Sequence, residues 1–251
     1  MNPRASTLLL LAGAGAWIGA AGAVALVATV LLALGAGLVI PVLNQLGVID
    51  ADRFAAPGVL AFALVATGAF LGTLLAAALW MRRGTPDGFG PSGPWRSRLI
   101  TALCLGLFGW ALAISALGIA FPAFADFTRD AVPEMLKGDD RPGPGILVPG
   151  LLLITVLAPV AEEFFFRGWL WGALARRGHG VWVCAGLTAG PWLALHALET
   201  PARVLFLIPA ALALSVARHA AGGLRASLTV HLINNVMAAA MTALALAIPS
   251  G

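Results

Sequence analysis

The chain has 251 residues, of which 60% are hydrophobic and only 10% are charged. A soluble domain carries about 45–50% apolar and about 25% charged residues. The composition therefore excludes a soluble enzyme and a disordered chain, and it predicts that lipid surrounds most of the protein. The 15 Lys and Arg outnumber the 11 Asp and Glu, but no basic run is dense enough to indicate binding of nucleic acid.

Seven apolar runs are long enough to cross a bilayer as helices, because about 20 residues span about 30 Å of hydrocarbon. In chain order these runs are residues 7–43, 57–81, 99–122, 145–175, 180–199, 202–218 and 224–248. The first run is long enough to hold two spans, with a break at Gly35, Gly37 and Pro41, and too long for a signal peptide, so we expect a retained anchor. The sequence therefore predicts an all-α, polytopic membrane helix bundle of about seven transmembrane helices, or eight if the first run is two spans.

The charges outside these runs predict an orientation, because Lys and Arg gather on the cytoplasmic side of short loops. With the N-terminus inside, the arginine-rich segments all fall on the inner side. Most Asp and Glu then fall in outer loops near residues 50–53 and 123–144. We therefore expect an integral membrane protein with a cytoplasmic N-terminus, in a bacterial inner membrane. His179 and His219 adjoin arginines in inner loops and are expected to be solvated.

Three charged residues remain inside an apolar run: Glu162, Glu163 and Arg167. Each charge at the middle of a bilayer costs about 2.5–3.5 kcal/mol, so these residues must be paired or face a polar cavity. Glu163 and Arg167 are four residues apart on a helix, which predicts an ion pair. Glu162 points about 100° away from Glu163. It is left without this partner and is a candidate general acid or base.

Two later runs carry polar residues at helical spacing. His196 lies four residues after Trp192, and His231 lies four residues before Asn235, with Ser227 one turn earlier. Each group also has a purely structural interpretation: a packing histidine, interhelical hydrogen-bond partners, or, for the Glu-Glu-Arg cluster, a buried ion pair. One shared cavity would satisfy all of them at once, and we predict that they meet in one.

The depth of His196 in its run is a difficulty for a single cavity. At about 1.5 Å per residue, His196 lies farther from the inner boundary than Glu162 or His231 is expected to lie. Either its run begins in the cytoplasm or its helix is broken at Gly190-Pro191. We predict a bend or a strong tilt at that dipeptide.

These residues form three motifs in one order. They are EExxxR at Glu162–Arg167, followed by Gly168, then FxxxH at Trp192–His196 with Trp in place of Phe, and HxxxN at His231–Asn235. In these motifs the sequence resembles the CAAX protease and bacteriocin-processing (CPBP, or ABI) family of intramembrane proteases, which includes the Ras-converting CAAX prenyl endopeptidases. The resemblance covers about residues 145–250.

The resemblance implies an intramembrane endopeptidase that hydrolyses a peptide bond of a membrane-associated protein or peptide, in CAAX-type or C-terminal-tag processing. It implies a catalytic core over residues 145–251, preceded by N-terminal transmembrane helices over residues 1–144. The expected partners are membrane lipid and the protein or peptide substrate, with no nucleic acid. The sequence leaves the oligomeric state and the natural substrate open.

The resemblance also implies roles for the motif residues. Glu162 would take a proton from water, with His196 holding or polarising that water. His231 and Asn235 would donate hydrogen bonds to the oxyanion. Three further residues are expected to support the site: Glu163, Arg167 and Trp192.

No cofactor is expected for this glutamic-type mechanism. The alternative is a zinc ion held by Glu162, His196 and His231, which we disfavour because the sequence lacks an HExxH pair. Two other functions remain open: a non-enzymatic membrane scaffold or immunity protein, and a proton-coupled transporter, since buried Glu and His also form proton relays. The intact motifs favour the enzyme over both.

Overall fold

The computed structural model describes residues 3–45, 51–82, 96–121, 144–199 and 203–247, and every regular element in these ranges is helical. The helices are α1 (Pro3–Gln45), α2 (Ala51–Arg82), α3 (Ser97–Ala120), α4 (residues 144–176), α5 (Val181–Glu199), α6 (Arg203–Ala221) and α7 (Leu224–Ala247). The seven helices of these ranges coincide with the seven apolar runs. The predicted all-α membrane helix bundle is therefore confirmed. The long loops that the gaps between apolar runs predict, over residues 82–98 and 123–144, lie largely outside the described ranges.

Helix α1 is continuous over its 43 residues, so the alternative of two spans in the first run is wrong. The backbone stays helical through Gly35, Gly37 and Pro41. Helix-breaking residues are tolerated in membrane helices because neighbouring helices, side chains and local changes of helix geometry satisfy the backbone groups that they free. At about 1.5 Å per residue, α1 is also longer than a bilayer is thick.

Five segments of the described helices are long and apolar enough to cross a membrane: Ser6–Leu31, Ala63–Met81, Ser97–Leu117, Leu147–Arg176 and Val204–Ala221. Val181–Ala197, within α5, is apolar but shorter. Large apolar side chains such as Leu26, Leu105 and Leu152 are mostly exposed on the outer faces of these helices. Lipid is the solvent that suits such faces, so the chain is an integral membrane protein.

Helix α4 alternates between two kinds of helix without a break. Its α-helical segments are Pro144–Leu152, Ala158–Glu162 and Trp171–Arg176. Between them lie two π-helical segments, Leu153–Leu157 and Glu163–Leu170. π-Helical turns bond each N–H to the carbonyl five residues back and are frequent at functional sites. The second π segment begins at the second glutamate of the EExxxR motif.

The centre of the bundle is the second half of α4. Phe165, Phe166 and Leu170 are almost completely buried, and the Phe165 and Phe166 rings meet edge to face at a centroid distance of 5.1 Å. Helices α2 and α7 contact α4 along most of its length, and α5 contacts it from Glu163 onward. This packing brings the three motif-bearing helices, α4, α5 and α7, together.

The turn between α4 and α5 is tied to the start of α1. His179 is half-buried, and its Nε2 lies 2.8 Å from the Thr7 hydroxyl. The expectation that His179 is solvated is therefore wrong, because the first turns of α1 pack against this turn. His219 lies in the last turn of α6 rather than in a loop and is exposed, as expected.

Candidate active site

The two adjacent glutamates differ in exposure. The Glu162 side chain is 12% exposed, whereas the Glu163 side chain is fully buried. Glu162 ends an α-helical segment and Glu163 begins the second π-helical segment of α4, so the two side chains leave the helix in different directions. Only the Glu162 carboxylate can be reached by water.

Glu163 forms the predicted ion pair with Arg167. Arg167 Nη1 lies 3.1 Å from Glu163 Oε1, and both side chains are fully buried. The Arg167 guanidinium also lies over the Trp192 indole, with Cζ 5.0 Å from the ring centroid. A buried charge is costly unless it is paired, so this pair and the aromatic face together account for an arginine in the middle of the bundle.

His231 lies between the two glutamates. Its Nδ1 is 3.1 Å from Glu163 Oε1 and donates to that carboxylate. Its Nε2 points toward Glu162 Oε2 at 3.7 Å, which is too far for a direct hydrogen bond. Ser227, one turn earlier on α7, also lies beside Glu163. His231 is therefore fixed on its Nδ1 side by a buried carboxylate and presents Nε2 to the accessible one.

Trp192 contacts every other motif. Its Nε1 donates a hydrogen bond to Glu162 Oε2 at 2.5 Å. Its ring lies 4.6 Å from the His196 ring and 5.7 Å from the His231 ring, measured between centroids. The sequence predicted an aromatic wall here but missed the hydrogen bond. The signal was present in the sequence, because the Trp that replaces Phe in the FxxxH motif is the one aromatic side chain that only donates.

His196 is half-buried and lies on the same face of α5 as Trp192, one turn later. Its Nδ1 lies 2.9 Å from the Trp192 carbonyl oxygen. A carbonyl can only accept, so Nδ1 carries the hydrogen, and Nε2 of the neutral ring presents a lone pair. Because the Trp192 ring contacts both Glu162 and His196, the structure brings these two residues into one site.

Helix α5 reaches this site without interruption. It is helical from Val181 to Glu199 and includes Pro191, so the alternative of a helix broken at Gly190-Pro191 is wrong. Bundle packing supports the backbone around the proline, as it does for α1. The predicted bend or strong tilt stays a prediction.

Asn235 lies on α7 and holds the backbone of α4. Its Nδ2 donates to the Ile154 carbonyl oxygen at 2.8 Å. In the first π-helical segment the Ala158 N–H bonds to the Leu153 carbonyl, five residues back. The next donor in that register is Pro159, which has no N–H. The Asn235 amide therefore supplies the Ile154 carbonyl with the hydrogen bond that Pro159 cannot donate. The second hydrogen of the Asn235 amide remains available to another acceptor.

A second link to α4 comes from α6. Arg218 is 6% exposed, and its Nε donates to the Arg167 carbonyl oxygen at 2.8 Å. This contact was not predicted. Nothing in the local sequence marks it, since the two residues are 51 positions apart.

Within the described ranges, no three side chains of His, Cys, Asp or Glu are grouped as metal ligands. Both the expectation of no cofactor and the alternative of zinc held by Glu162, His196 and His231 stay predictions. Glu162 Oε2 is engaged by Trp192, and His231 Nδ1 is engaged by Glu163.

Comparison with known proteins gives one match. Residues 144–237 match the model of the family described as type II CAAX prenyl endopeptidase Rce1-like. No curated protein and no solved structure matches the chain. The matched stretch begins at the first residue of α4 and ends within α7, so it contains all three motifs and the site they form. Over these four helices the chain is therefore similar to the Rce1-like CAAX prenyl endopeptidases, and this similarity supports a place in the CAAX protease family.

Proposed function

We propose that the protein is an intramembrane endopeptidase in which Glu162 activates water to hydrolyse a peptide bond of a membrane-associated protein or peptide. The family supports a peptide hydrolase. The observation that carries the mechanism is the contrast within the glutamate pair. Glu163 is buried and neutralised by Arg167, whereas Glu162 is partly exposed and held by the Trp192 indole and faced by His231.

In the proposed first step, Glu162 removes a proton from a water molecule. The remaining hydroxide attacks the carbonyl carbon of the scissile bond, and the carbonyl oxygen becomes an oxyanion. His196 Nε2 accepts the other hydrogen of that water, because Nδ1 is committed to the Trp192 carbonyl. Trp192 holds one oxygen of Glu162 and leaves the other oxygen to act on the water.

In the second step, His231 and Asn235 stabilise the oxyanion. His231 is anchored to Glu163 through its Nδ1–H and donates from Nε2 in its doubly protonated form, and Asn235 keeps one amide hydrogen after bonding to Ile154. Donors fixed in advance need no reorganisation when charge develops, and this is the source of their effect. Glu162 then gives its proton to the leaving nitrogen as the C–N bond breaks. Water is consumed, and one carboxylate and one amine are released.

The substrate is proposed to be a membrane-associated protein or peptide cut in CAAX-type or C-terminal-tag processing. The site lies inside a bundle whose outer faces are apolar, so a substrate anchored in lipid reaches it more readily than a soluble one. With the N-terminus cytoplasmic, as the loop charges predict, the tail of such a substrate enters from the inner side.

The test is peptide cleavage by the purified full-length protein in detergent, with wild type beside Glu162→Gln and Glu162→Ala, with and without a chelator. Both variants should abolish cleavage and keep the melting temperature of the wild type. Normal cleavage by Glu162→Gln would remove Glu162 from the mechanism. Loss of activity with chelator, restored by zinc, would establish the metal-dependent alternative instead.

The same assay separates the enzyme from the two other functions. A scaffold or immunity protein would cleave no peptide, whether prenylated or carrying a C-terminal tag. A proton-coupled transporter would instead acidify or alkalinise the lumen of proteoliposomes when its substrate is added, and Glu162→Gln would stop that flux.

A further inference from the structure

A second polar site lies at the end of the bundle where α4 and α6 terminate. It is a pocket of about 400 Å³ formed by the last turns of these two helices and the turn that leads to α7. Its polar lining consists of Arg176, Arg218 and His219, and Trp171 forms its aromatic wall. None of these side chains has a role in the proposed hydrolysis.

The charge of this pocket is positive and concentrated. No carboxylate is among the residues that line it, although the Glu163 carboxylate deeper in the bundle lies within electrostatic range of Arg218. The Arg218 side chain is buried, with 6% of its surface exposed. Its Nε donates to the Arg167 carbonyl, and its guanidinium Cζ lies 5.9 Å from the Trp171 ring centroid. Arg176 and His219 are exposed at the rim. The buried arginine and the two exposed side chains at the rim together offer N–H donors that match the oxygens of a phosphate group.

An apolar stripe leads from the lipid-facing side of α6 to the same pocket. Ile208, Leu212 and Val216 follow one another at four-residue intervals, and each is 43% exposed or more. His219 continues this face three residues later, at the rim of the pocket. An acyl chain lying along the stripe would place its headgroup at Arg176 and His219.

We propose that this pocket binds the phosphate group of an anionic membrane lipid, with Arg176, Arg218 and His219 as its ligands and the α6 stripe beside its acyl chain. Basic pockets between transmembrane helices are a recurrent way of binding such headgroups. The pocket lies at the end of the bundle that the loop charges predict to be cytoplasmic. The proposal concerns binding alone, so it stands or fails separately from the proposed hydrolysis.

The experiment compares lipid affinities of the full-length protein in detergent. The melting temperature is followed while phosphatidylglycerol, phosphatidylcholine of the same acyl chains, or inorganic phosphate is added. The variants are Arg176→Gln and His219→Gln. The matched control is Arg177→Gln, which removes the same charge one residue away, at a side chain that does not line the pocket and bonds instead to the Ala173 carbonyl.

Phosphatidylglycerol should stabilise the wild type at lower concentration than phosphatidylcholine does. Arg176→Gln should lower the affinity for phosphatidylglycerol about fivefold, as expected for the loss of one basic residue that contacts an anionic headgroup. Arg177→Gln should leave this affinity unchanged. If inorganic phosphate stabilises equally well and Arg176→Gln removes that effect, the pocket takes a free phosphate rather than a lipid. Equal stabilisation by both lipids without any effect of phosphate, or equal losses in Arg176→Gln and Arg177→Gln, would overturn the proposal.

Discussion

The indole Nε1 of Trp192 donates a hydrogen bond to Oε2 of Glu162 at 2.5 Å, joining α5 to α4. Phenylalanine, the usual residue of the FxxxH motif, has no such donor. The Trp192 ring therefore contacts both His196 and His231, and its Nε1 orients the Glu162 carboxylate.

Removing the Trp192 donor while keeping a ring should impair turnover. Trp192→Phe leaves Glu162 free to rotate, and a hydrogen bond to a charged group contributes about 1.5–3 kcal/mol. We expect kcat for a cleaved peptide to fall about tenfold or more, and the melting temperature to fall as well, because Trp192 is fully buried. Trp182→Phe is the matched control, since Trp182 is on the same helix and is 79% exposed. Unchanged turnover in Trp192→Phe would mean that Glu162 is oriented by other groups.

Substitutions of Glu163 and Arg167 should have non-additive effects on the free energy of unfolding. Glu163→Gln leaves a buried guanidinium without its counter-charge, and Arg167→Met leaves a buried carboxylate, so each should cost about 3–5 kcal/mol. The double variant should cost clearly less than the sum, because neither charge then remains. The measurement is the free energy of unfolding in mixed micelles. Additive costs would mean that the two side chains do not depend on each other.

Asn235 should have a stability role that can be separated from its proposed catalytic one. Asn235→Ala leaves the Ile154 carbonyl without a donor, which costs about 1–3 kcal/mol when that group is buried. Pro159→Ala supplies the missing backbone N–H. The double variant should therefore regain stability over Asn235→Ala but not regain peptide cleavage. If the second substitution restored both, Asn235 would have no part in stabilising the oxyanion.

His196 should matter for turnover and little for folding. Its side chain is half-buried and hydrogen-bonds within its own helix, so His196→Ala should unfold near the wild-type temperature. Loss of a group that positions the attacking water typically costs a factor of about 10²–10⁴ in rate. Added imidazole should restore part of the activity by occupying the vacated space. His179→Ala, at the distant α4–α5 turn, should show no such rescue.

The sequence was sufficient for the helices and for the ion pair that lies within α4. Apolar runs separated by charged loops predict seven helices because lipid leaves no other way to satisfy the backbone. The Glu163–Arg167 pair follows from a spacing of four residues. The remaining contacts depend on how helices pack against each other, which local spacing does not encode.

The missed contacts illustrate this limit. Pro159 is visible in the sequence as a residue without an N–H, but that Asn235 fills the resulting vacancy at Ile154 depends on the register between α4 and α7. The alternative of a break in α1 is wrong for a related reason. Glycine and proline end helices in water, whereas a bundle surrounded by lipid holds the backbone helical through them.

Arg218 belongs to two regions of the molecule at once. Its Nε holds the carbonyl of Arg167, in the helix that carries both glutamates, and its guanidinium lines the basic pocket at the end of the bundle. Coupling between two binding events is reciprocal. If a phosphate group in the pocket changes how tightly a substrate binds, that substrate changes the affinity for the phosphate by the same factor. The lipid composition of the membrane would then act on the enzyme as an effector, with one arginine as the connection.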